Sequence, residues 1–467
     1  MELRRATTPR QRRGKPRWNS KHSTGQGGEM RSSGTFGVLV CLVVVGMLYA
    51  DEAKIELVPV YEKTFDEPIV DVIFDTATVS IEEAKKMGWK EEAFSEEERQ
   101  KGTARVCYPR VIFVSEAYYP DGAYRTEARI YDKEGNLLKR IKTRHHKENL
   151  IFSTNGRYIL KARLFQEFEP SWKGGALYRN DGTKLWEKGE DGGFPRAVSN
   201  LGYVAALTYL WSSVEFGDYT IFDLNGQKLN VIENPYEGVI EGRAMVKFSQ
   251  DGEHLLVGFA DRYANSQFIL TTKTGEVVWQ EEYPYTFYDY EVIKRYGIAA
   301  LFEKYLWGPD ALIDLKTYIS FIDWQGNLRW ISPLEIRGDK LIKISKDQKR
   351  VYAMSSEGSL MCLKLDDGKI LWHYKEPWAP KSGERLKWEV PLFCEFKIMG
   401  DFLYIIGKQG RNWHSSALFV FDGKSGQLLK KIEYPQEKLT FVRATERLGL
   451  INIPKGKVTL FSVRRVR

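Results

Sequence analysis

The segment Leu270-Thr-Thr-Lys-Thr-Gly275-Glu-Val-Val-Trp279 consists of a strand-like run, a polar turn and a second strand-like run. A glycine-containing turn between two apolar, β-branched runs is typical of a β-hairpin. Six further segments repeat this design, with turn glycines at Gly135, Gly182, Gly226, Gly326, Gly368 and Gly426. Along the chain, neighbouring turn glycines are 47, 44, 49, 51, 42 and 58 residues apart. A repeat of this length predicts one structural unit that is used many times.

Two more strand-like runs precede each hairpin. Before Gly368 they cover residues 340–345 and 350–354, and before Gly275 they cover 243–248 and 254–259. Four antiparallel strands in about 40–50 residues is the size of one propeller blade. We name the strands of each unit A to D in chain order, and we expect strand A to lie innermost.

Strand A recurs along the whole chain. Its predicted starts lie near Ile69, Asn149, Pro195, Arg243, Tyr290, Lys340, Phe393 and Leu439. The last unit ends without a strand D, whereas a strand-like run at 55–65 precedes the first strand A. The sequence therefore predicts an all-β, eight-bladed propeller whose N-terminal strand completes the last blade, which removes exposed sheet edges. A seven-bladed ring is the alternative if the last segment is only a tail.

The repeated hairpin resembles the pyrroloquinoline-quinone-type, or quinoprotein-like, propeller repeat, and more loosely the WD-repeat-like periplasmic propellers. Four of the seven turns carry tryptophan four residues after the glycine, at Trp186, Trp279, Trp330 and Trp372. In the family that this repeat resembles, a tryptophan at this position docks one blade against the next, which implies a structural role for these four. Lys139, Asn230 and Lys430 stand at this position in the other repeats, so the pattern is degenerate.

The resemblance also raises the activity of a quinone-dependent dehydrogenase. Such enzymes are marked by an adjacent cysteine pair over the cofactor and by a carboxylate and amide cluster that holds calcium. The chain has no Cys-Cys dipeptide, no H-E-x-x-H motif and no G-x-S-x-G motif. We therefore expect a non-enzymatic branch of this propeller class, without a cofactor or a metal, although the sequence leaves enzymatic activity open.

Positive charge is concentrated ahead of the repeats. Residues 1–31 contain nine basic and two acidic side chains, whereas the remaining residues contain 61 and 60. The repeats are thus close to neutral, which argues against a nucleic-acid partner. The apolar run at 36–50 has the length of a signal-peptide core and is short for a membrane span.

We divide the chain into a segment at 1–50 and a propeller at 51–467. The first segment is a basic flank followed by a cleaved signal peptide or an uncleaved membrane anchor, and Met30 offers a start as well as Met1. Each alternative predicts an extracytoplasmic propeller, either periplasmic, secreted or at the cell surface, that meets the membrane only through this segment.

Three cysteines lie within the repeats, at Cys107, Cys362 and Cys394. Three scattered cysteines do not make a disulfide framework, and we expect them to be buried thiols. A bridge between Cys362 and Cys394 is left open.

Residues 80–104 interrupt the connection between strands A and B of the first blade. Ser80 and Ser95 are each followed by glutamate three residues later, which predicts capping boxes at the start of two short helices. We expect this insert to be a solvated appendage, with a docking element as the alternative.

Blade topology sends the connections to two ends of the propeller. The A–B and C–D turns share one end, which we call the turn face, and they are mostly short and polar. The B–C and D–A connections share the other end, the loop face, and are longer and aromatic, as functional connections often are. Tryptophan, tyrosine and arginine are the preferred anchors of protein interfaces. The candidate binding residues on the loop face are Trp172, Trp211, Tyr285, Tyr288, Trp307, Trp378, Trp388, Arg411, Trp413 and His414.

The sequence thus favours a monomeric, non-enzymatic propeller that binds a protein or a peptide through its loop face. The alternative is a propeller that binds or cleaves a glycan. In that case Glu167 and Glu169 would face the channel beside the aromatic side chains, as the paired carboxylates of a glycosidase do.

Overall fold

The structure is a computed structural model of the 467-residue chain. It describes residues 54–114, 118–119, 122–123, 127–143, 148–163, 174–211, 214–236, 243–260, 265–293, 297–307, 312–334, 336, 340–377, 392–409, 415–442 and 447–466. Ala50–Arg467 is one compact unit. The predicted signal peptide or anchor at 1–50 lies outside the described residues.

Eight four-stranded antiparallel sheets follow one another along the chain. Blade 1 consists of β2 (Ile69–Ser80), β3 (Thr103–Val114), β6 (Glu127–Tyr131) and β7 (Leu137–Lys142). Blade 2 consists of β8 (Glu148–Phe152), β9 (Tyr158–Arg163), β10 (Gly175–Arg179) and β11 (Lys184–Lys188). Blade 3 consists of β12 (Phe194–Val198), β13 (Val204–Trp211), β14 (Val214–Phe222) and β15 (Lys228–Ile232). Blade 4 consists of β16 (Arg243–Phe248), β17 (His254–Ala260), β18 (Ser266–Thr272) and β19 (Val277–Tyr283).

The second half of the ring has the same order. Blade 5 consists of β20 (Thr286–Ile293), β21 (Gly297–Trp307), β22 (Leu312–Asp323) and β23 (Leu328–Leu334). Blade 6 consists of β24 (Lys340–Ile344), β25 (Arg350–Ser355), β26 (Ser359–Lys364) and β27 (Ile370–Lys375). Blade 7 consists of β28 (Leu392–Met399), β29 (Phe402–Gln409), β30 (Ser415–Asp422) and β31 (Leu428–Tyr434). Blade 8 consists of β32 (Leu439–Phe441), β33 (Leu448–Asn452), β34 (Lys457–Val466) and the N-terminal strand β1 (Lys54–Thr64).

The ring closes through pairing of the first and the last strand. Strand β1 is antiparallel to β34 from the Lys54–Val466 pair to the Thr64–Lys457 pair, and it is the fourth strand of blade 8. Successive A strands contact one another from blade 2 round to blade 8 and on to blade 1, so strand A lines the central channel. The prediction of an eight-bladed propeller closed by its N-terminal strand is therefore confirmed, and the seven-bladed alternative is wrong.

The C–D turns have the geometry that their glycines imply. All seven turn glycines have positive φ, between 70° for Gly368 and 88° for Gly135 and Gly275. In each of these hairpins the register shifts by one residue beside the turn, as it does between Leu270 and Thr271. A left-handed residue next to a bulge closes a tight hairpin, and glycine adopts that conformation without steric cost.

The residue four positions after each turn glycine reaches the next blade. The rings of Trp186, Trp279, Trp330 and Trp372 lie against the turn glycines Gly226, Gly326, Gly368 and Gly426 of the following blades. Where tryptophan is replaced, a polar side chain makes the same connection by a hydrogen bond. Asn230 Nδ2 donates to the Gly275 carbonyl at 2.7 Å, and Lys139 Nζ donates to the Gly182 carbonyl at 2.5 Å.

We expect the variant Gly426→Ala to lose about 2–4 kcal/mol of unfolding free energy. Its φ is 74°, and a Cβ atom would lie 2.5 Å from the Trp372 ring, so both the backbone and the packing oppose a methyl group. Gly400→Ala is the matched control, because its φ is 59° but no atom lies within 4 Å of the added Cβ. The control should lose only about 1–2 kcal/mol in denaturant unfolding. Equal losses in the two variants would contradict the packing contribution.

Two short helices occupy the A–B connection of blade 1. Helix α1 covers Ile81–Lys86 and helix α2 covers Glu96–Lys101, with a 3-10 turn at Glu91–Ala93 between them. Ser95 and Glu98 form a complete capping box, in which each side chain bonds the other's backbone N–H. The Ser80 side chain accepts a hydrogen bond from the Glu83 N–H, which caps α1. Among the described residues, no helix is long and apolar enough to span a membrane.

The insert holds the closing strand β1 from its outer side. The Lys90 N–H donates to the Val60 carbonyl at 2.9 Å, and the Glu62 N–H donates to the Gly88 carbonyl at 3.2 Å. Between these two bonds Trp89 packs against Tyr61, with their ring centroids 5.3 Å apart, and both side chains are almost completely buried. Most side chains of the two helices are exposed or half-buried, as expected of a solvated appendage, but the insert also binds β1 of blade 8 through a single β-bridge between Trp89 and Tyr61.

Ion pairs reinforce this contact from both sides of Glu62. Its carboxylate lies 2.7 Å from Lys90 Nζ of the insert and 2.7 Å from Lys457 Nζ of β34. Hydrogen bonds from Lys457 and Lys90 hold the pKa of Glu62 below its ordinary value. The guanidinium of Arg447 lies 5.3 Å from the centre of the Trp89 ring, which adds a cation–π contact. The insert, β1 and β34 thus form one continuous seam.

Candidate functional site

Two B–C hairpins extend past the edge of their sheets at the loop face. In blade 5 the last residue of β21 that pairs with strand A is Glu303, yet β21 and β22 remain paired as far as Trp307 and Leu312. In blade 3 the last such residue is Leu207, and the hairpin continues to the Trp211–Val214 pair. Both hairpins therefore end as two-stranded ribbons, each with a tryptophan beside its tip.

Blade 1 carries a third small ribbon on the same face. Its B–C connection contains a two-stranded sheet of β4 (Tyr118–Tyr119) and β5 (Gly122–Ala123). Blade 6 differs, because its strands β25 and β26 are joined by a tight turn in which Gly358 has a φ of 82°. The loop face is therefore uneven, with ribbons in blades 1, 3 and 5 and only a tight turn in blade 6.

The turn in blade 6 holds both ends of the D–A connection that follows it. The Glu376 N–H donates to the Gly358 carbonyl at 2.9 Å, and the Phe393 N–H donates to the Ser356 carbonyl at 3.1 Å. The connection between blades 6 and 7 therefore starts and returns at the same place. Its residues Trp378 and Trp388 lie outside the described residues.

Most candidate binding residues fall in parts of the chain that the structure does not describe. Those outside the described residues are Trp172, Trp378, Trp388, Arg411, Trp413 and His414. For Trp211 and Trp307 the strand position is described and the side chain is not. The binding role of these eight residues stays a prediction.

Tyr285 and Tyr288 are the two candidates whose side chains are described. Both are partly buried. The Tyr285 ring centre lies 5.6 Å from that of Phe302 and 5.4 Å from that of Tyr318. Tyr288 packs against the core between blades 5 and 6. Much of each ring is thus used for packing within the propeller, and a binding role for these two tyrosines also stays a prediction.

A buried ion pair lies beside Tyr288. Lys340 Nζ is 2.8 Å from a Glu303 carboxylate oxygen, and the two side chains are only 5% and 4% exposed. The same ammonium lies 4.8 Å from the centre of the Tyr288 ring. Because Glu303 belongs to blade 5 and Lys340 to blade 6, the pair ties two blades together at the loop face.

A second ion pair lies within blade 7, and hydrogen bonds to its carboxylate connect blade 7 to blade 8. Lys408 Nζ lies 2.8 Å from Glu395, whose other carboxylate oxygen accepts hydrogen bonds from the Thr440 hydroxyl at 2.7 Å and from the Phe441 N–H at 3.0 Å. Burial by itself would raise the pKa of Glu395, but the Lys408 ammonium and these donors outweigh burial and lower it. The carboxylate therefore stays charged at neutral pH and holds the junction.

Polar side chains also cover the channel-facing edge of the A strands. Asp71, Asn149 and Asp289 each accept a hydrogen bond from the N–H of the following residue, at 2.8–2.9 Å. Lys247 donates to the Tyr290 carbonyl at 2.6 Å, and Lys397 donates to the Val442 carbonyl at 2.7 Å. These backbone N–H and carbonyl groups lie at the edge of the innermost strands and would otherwise need water or a ligand as a hydrogen-bond partner. Here they find their partners within the ring.

Charge in the channel wall alternates between neighbouring blades. Lys247 of blade 4 lies 2.7 Å from Asp289 of blade 5, and Lys343 of blade 6 lies 2.5 Å from Glu291 of blade 5. Burial acts to raise the pKa of Glu291, but Lys343 and Lys247 outweigh it and lower the pKa. Burial lowers the pKa of Lys397 to about 8, against the opposing effect of Asp71. The wall is thus built from paired charges of both signs.

These pairs were not among the predicted site residues. Lys340 and Glu303 are far apart in the chain, and neither belongs to a motif. One signal was present, because lysine or glutamate opens strand A in blades 6 and 2, at a position that is apolar in several other blades.

The described residues contain no group of three or more His, Cys, Asp or Glu side chains that could hold a metal ion. Glu167 and Glu169, the carboxylates of the glycan-cleaving alternative, lie outside the described residues. Cys362 and Cys394 are not joined, so the disulfide left open by the sequence does not form. Burial raises the pKa of the Cys362 thiol to about 12, which makes it unreactive at neutral pH.

No protein-family model matches the chain, and no curated protein matches it. Solved structures do. BamB from Moraxella catarrhalis is 11% identical with a TM-score of 0.48, over 87% of this chain and 100% of that one. The computationally designed Ika8 protein is 12% identical with a TM-score of 0.49, over 87% of this chain and 99% of that one. A eukaryotic initiation factor is 12% identical with a TM-score of 0.46, over 70% of this chain and 75% of that one. Likeness at this level says nothing about what the chain binds.

Proposed function

We propose that this chain is a non-enzymatic propeller that works outside the cytoplasm and binds a protein or a peptide at its loop face. The pair of extended B–C ribbons in blades 3 and 5 is the observation that carries the proposal. Each ribbon is longer than the blade needs, and each has a tryptophan beside its tip, at Trp211 and Trp307. Protruding hairpins with aromatic tips suit a partner surface better than they suit a closed channel.

The rest of the face is consistent with a scaffold. The buried Lys340–Glu303 pair between blades 5 and 6, and the hydrogen bonds from Thr440 and Phe441 of blade 8 to Glu395 of blade 7, keep neighbouring blades in fixed positions beneath the ribbons. A rigid base of this kind lowers the entropic cost of binding, because few groups need to be ordered when the partner arrives. The apolar run at 36–50 after a basic flank supports an extracytoplasmic location.

The combined variant Trp211→Ala, Trp307→Ala and Trp413→Ala is expected to lose capture of the partner while it keeps the fold. Aromatic anchors dominate interface energies, and removing three of them should weaken capture by at least about a hundredfold. The measurement is affinity capture from the native cell envelope, with circular dichroism as the check on folding.

The matched control is Val277→Ala, Val278→Ala and Ile370→Ala, which removes three exposed apolar side chains from outer strands. This control should capture the partner normally. Undiminished capture by the tryptophan variant would refute the proposal. A glycan array probed with the unmodified protein separates the carbohydrate alternative, which requires binding to a sugar.

A further inference from the structure

The outer strand of blade 1 differs in charge from every other outer strand. Strand β7 contains Lys139, Arg140 and Lys142 and no acidic residue. The outer strands of the other seven blades carry a net charge of +1 or less, and that of blade 4 is negative because of Glu281 and Glu282. The repeats are nearly neutral as a whole, so this strand is a local concentration of positive charge.

One face of β7 presents an apolar residue followed by two cations. Side chains alternate along a strand, so Leu138, Arg140 and Lys142 point to the same side. They are exposed by 52%, 48% and 65% respectively. Lys139 points to the other side, where it donates to the Gly182 carbonyl of blade 2. The exposed row is therefore Leu138, Arg140 and Lys142.

These two cations are incompletely neutralised within the propeller. The Glu127 carboxylate lies 3.7 Å from Arg140 and 3.4 Å from Lys142, but it is already bound to Arg129 at 2.6 Å. Arg129 also pairs with Glu67. The largely buried Glu127 carboxylate is thus shared by three cations. Arg140 and Lys142 therefore keep hydrogen-bond donors that face solvent.

The outer edge of β7 also carries backbone groups for pairing. β7 ends the sheet β2-β3-β6-β7, and no other strand pairs with its outer edge in the part of the chain that the structure describes. The closing strand β1 in blade 8 differs, because the insert hydrogen-bonds to its outer side. Blade 1 therefore offers an open strand edge, and an extended chain can add to such an edge as a further strand.

We propose that β7 is a docking edge for an extended acidic peptide segment, which adds to blade 1 as a fifth strand. Glutamates at alternate positions of the segment face Arg140 and Lys142, and an apolar residue at the next alternate position faces Leu138. A polypeptide fits this surface better than a nucleic acid or an anionic lipid, because only a polypeptide can pair with the backbone groups of the edge. The site is on the outer wall of blade 1, away from the loop face, so it is independent of the proposed function.

The probe is a labelled peptide with the palindromic order Thr-Val-Thr-Glu-Thr-Glu-Thr-Val-Thr, which fits the edge in either strand direction. We expect fluorescence anisotropy to show saturable binding to the full chain. Binding should weaken at least about tenfold between about 50 mM and about 500 mM salt, because exposed charges are screened. A peptide with lysine in place of glutamate should not bind.

Charge reversal locates the site. The variant Arg140→Glu with Lys142→Glu should weaken binding at least about tenfold, because like charges would then face each other across the pair of strands. The matched control Lys184→Glu with Lys228→Glu reverses two exposed cations on the outer strands of blades 2 and 3, and it should bind as the unmodified chain does. Every second backbone N–H of the bound probe faces β7, so two methylated probes are compared, one for each alternate set of nitrogens. Methylation of one set should abolish binding, and methylation of the other set should not.

Three results would overturn the proposal. They are no binding of the probe, equal binding by the Arg140→Glu, Lys142→Glu variant, and equal binding of both methylated probes. Tighter binding of a single-stranded oligonucleotide or of anionic vesicles, with the same dependence on Arg140 and Lys142, would assign the cations to another class of partner and would also refute it.

Discussion

Replacing Trp89 with alanine is expected to lower the free energy of unfolding by about 3–5 kcal/mol, the usual loss for a buried tryptophan. Trp89 is 4% exposed, it packs on Tyr61, and its indole N–H donates to the Cys107 carbonyl at 2.9 Å. The loss should also be local. Because Trp89 lies at the seam, hydrogen exchange should accelerate in β1 and β34 before it does in blades 3 to 6.

Glu97→Ala and Trp324→Ala serve as controls for this experiment. Glu97 belongs to the same insert but is 75% exposed, so its removal should cost little. Trp324 is a partly buried tryptophan elsewhere, which packs against His254 with ring centres 4.9 Å apart. Unchanged protection of β1 in the Trp89 variant would show that the insert is not needed at the seam.

Glu303→Ala should be comparably damaging, with an expected loss of about 3–5 kcal/mol. Removing the carboxylate leaves the Lys340 ammonium buried without the partner that lies 2.8 Å away. The double variant Glu303→Leu with Lys340→Met should recover most of the loss, since two apolar side chains do not carry the cost of burying an isolated charge. Denaturant unfolding of Glu303→Ala and of the double variant measures this recovery.

Glu433→Ala is the matched control for the buried pair. Glu433 lies 3.0 Å from Lys431 on the outer strand of blade 7, but it is 73% exposed. An exposed pair contributes about 0–1 kcal/mol, so this variant should be close to the unmodified protein. If Glu303→Ala behaved like Glu433→Ala, the pair between blades 5 and 6 would have no special role.

The repeat made the architecture predictable from the sequence. Strand A was expected near Asn149, Pro195 and Phe393, and the strands begin one residue earlier, at Glu148, Phe194 and Leu392. The closing strand was expected at 55–65 and covers Lys54–Thr64. These agreements arise because each blade repeats the same alternation of apolar and polar residues and nearly every blade has the same turn glycine. A strand boundary that is unclear in one blade can therefore be placed by comparison with the others.

Loops on the loop face were predicted less well. The sequence placed Tyr285 and Tyr288 on the loop face, in the aromatic D–A connection ahead of a strand A that was expected to start near Tyr290. In the structure β19 runs to Tyr283 and β20 starts at Thr286, so only two residues connect them. Aromatic residues are strong strand formers, and here they continue the two strands instead of leaving the sheet. The B–C loops of blades 3 and 5 are likewise shorter than the sequence suggested, because their strands extend into ribbons.

The candidate site was predictable in position but not in its supporting contacts. Strand topology determines which ends of the blades share a face, and Trp211 and Trp307 end two B strands there. The Glu303–Lys340 pair and the contact between Trp89 and Tyr61 join residues that no local periodicity links. Such contacts depend on how complete blades stack, and hydrophobic patterning along one strand carries no information about them.

The seam also has a consequence for folding during synthesis, because its strands are made at different times. Strand β1 is synthesised early, but its partner β34 follows about 390 residues later, which is on the order of 20–80 seconds of translation. An unpaired strand edge is prone to aggregation during such a wait. The insert residues Gly88 and Lys90, which bond to β1, are made within about 30 residues of it. The insert can thus cover one edge of the first strand long before the last blade exists, whereas the other edge waits for β34.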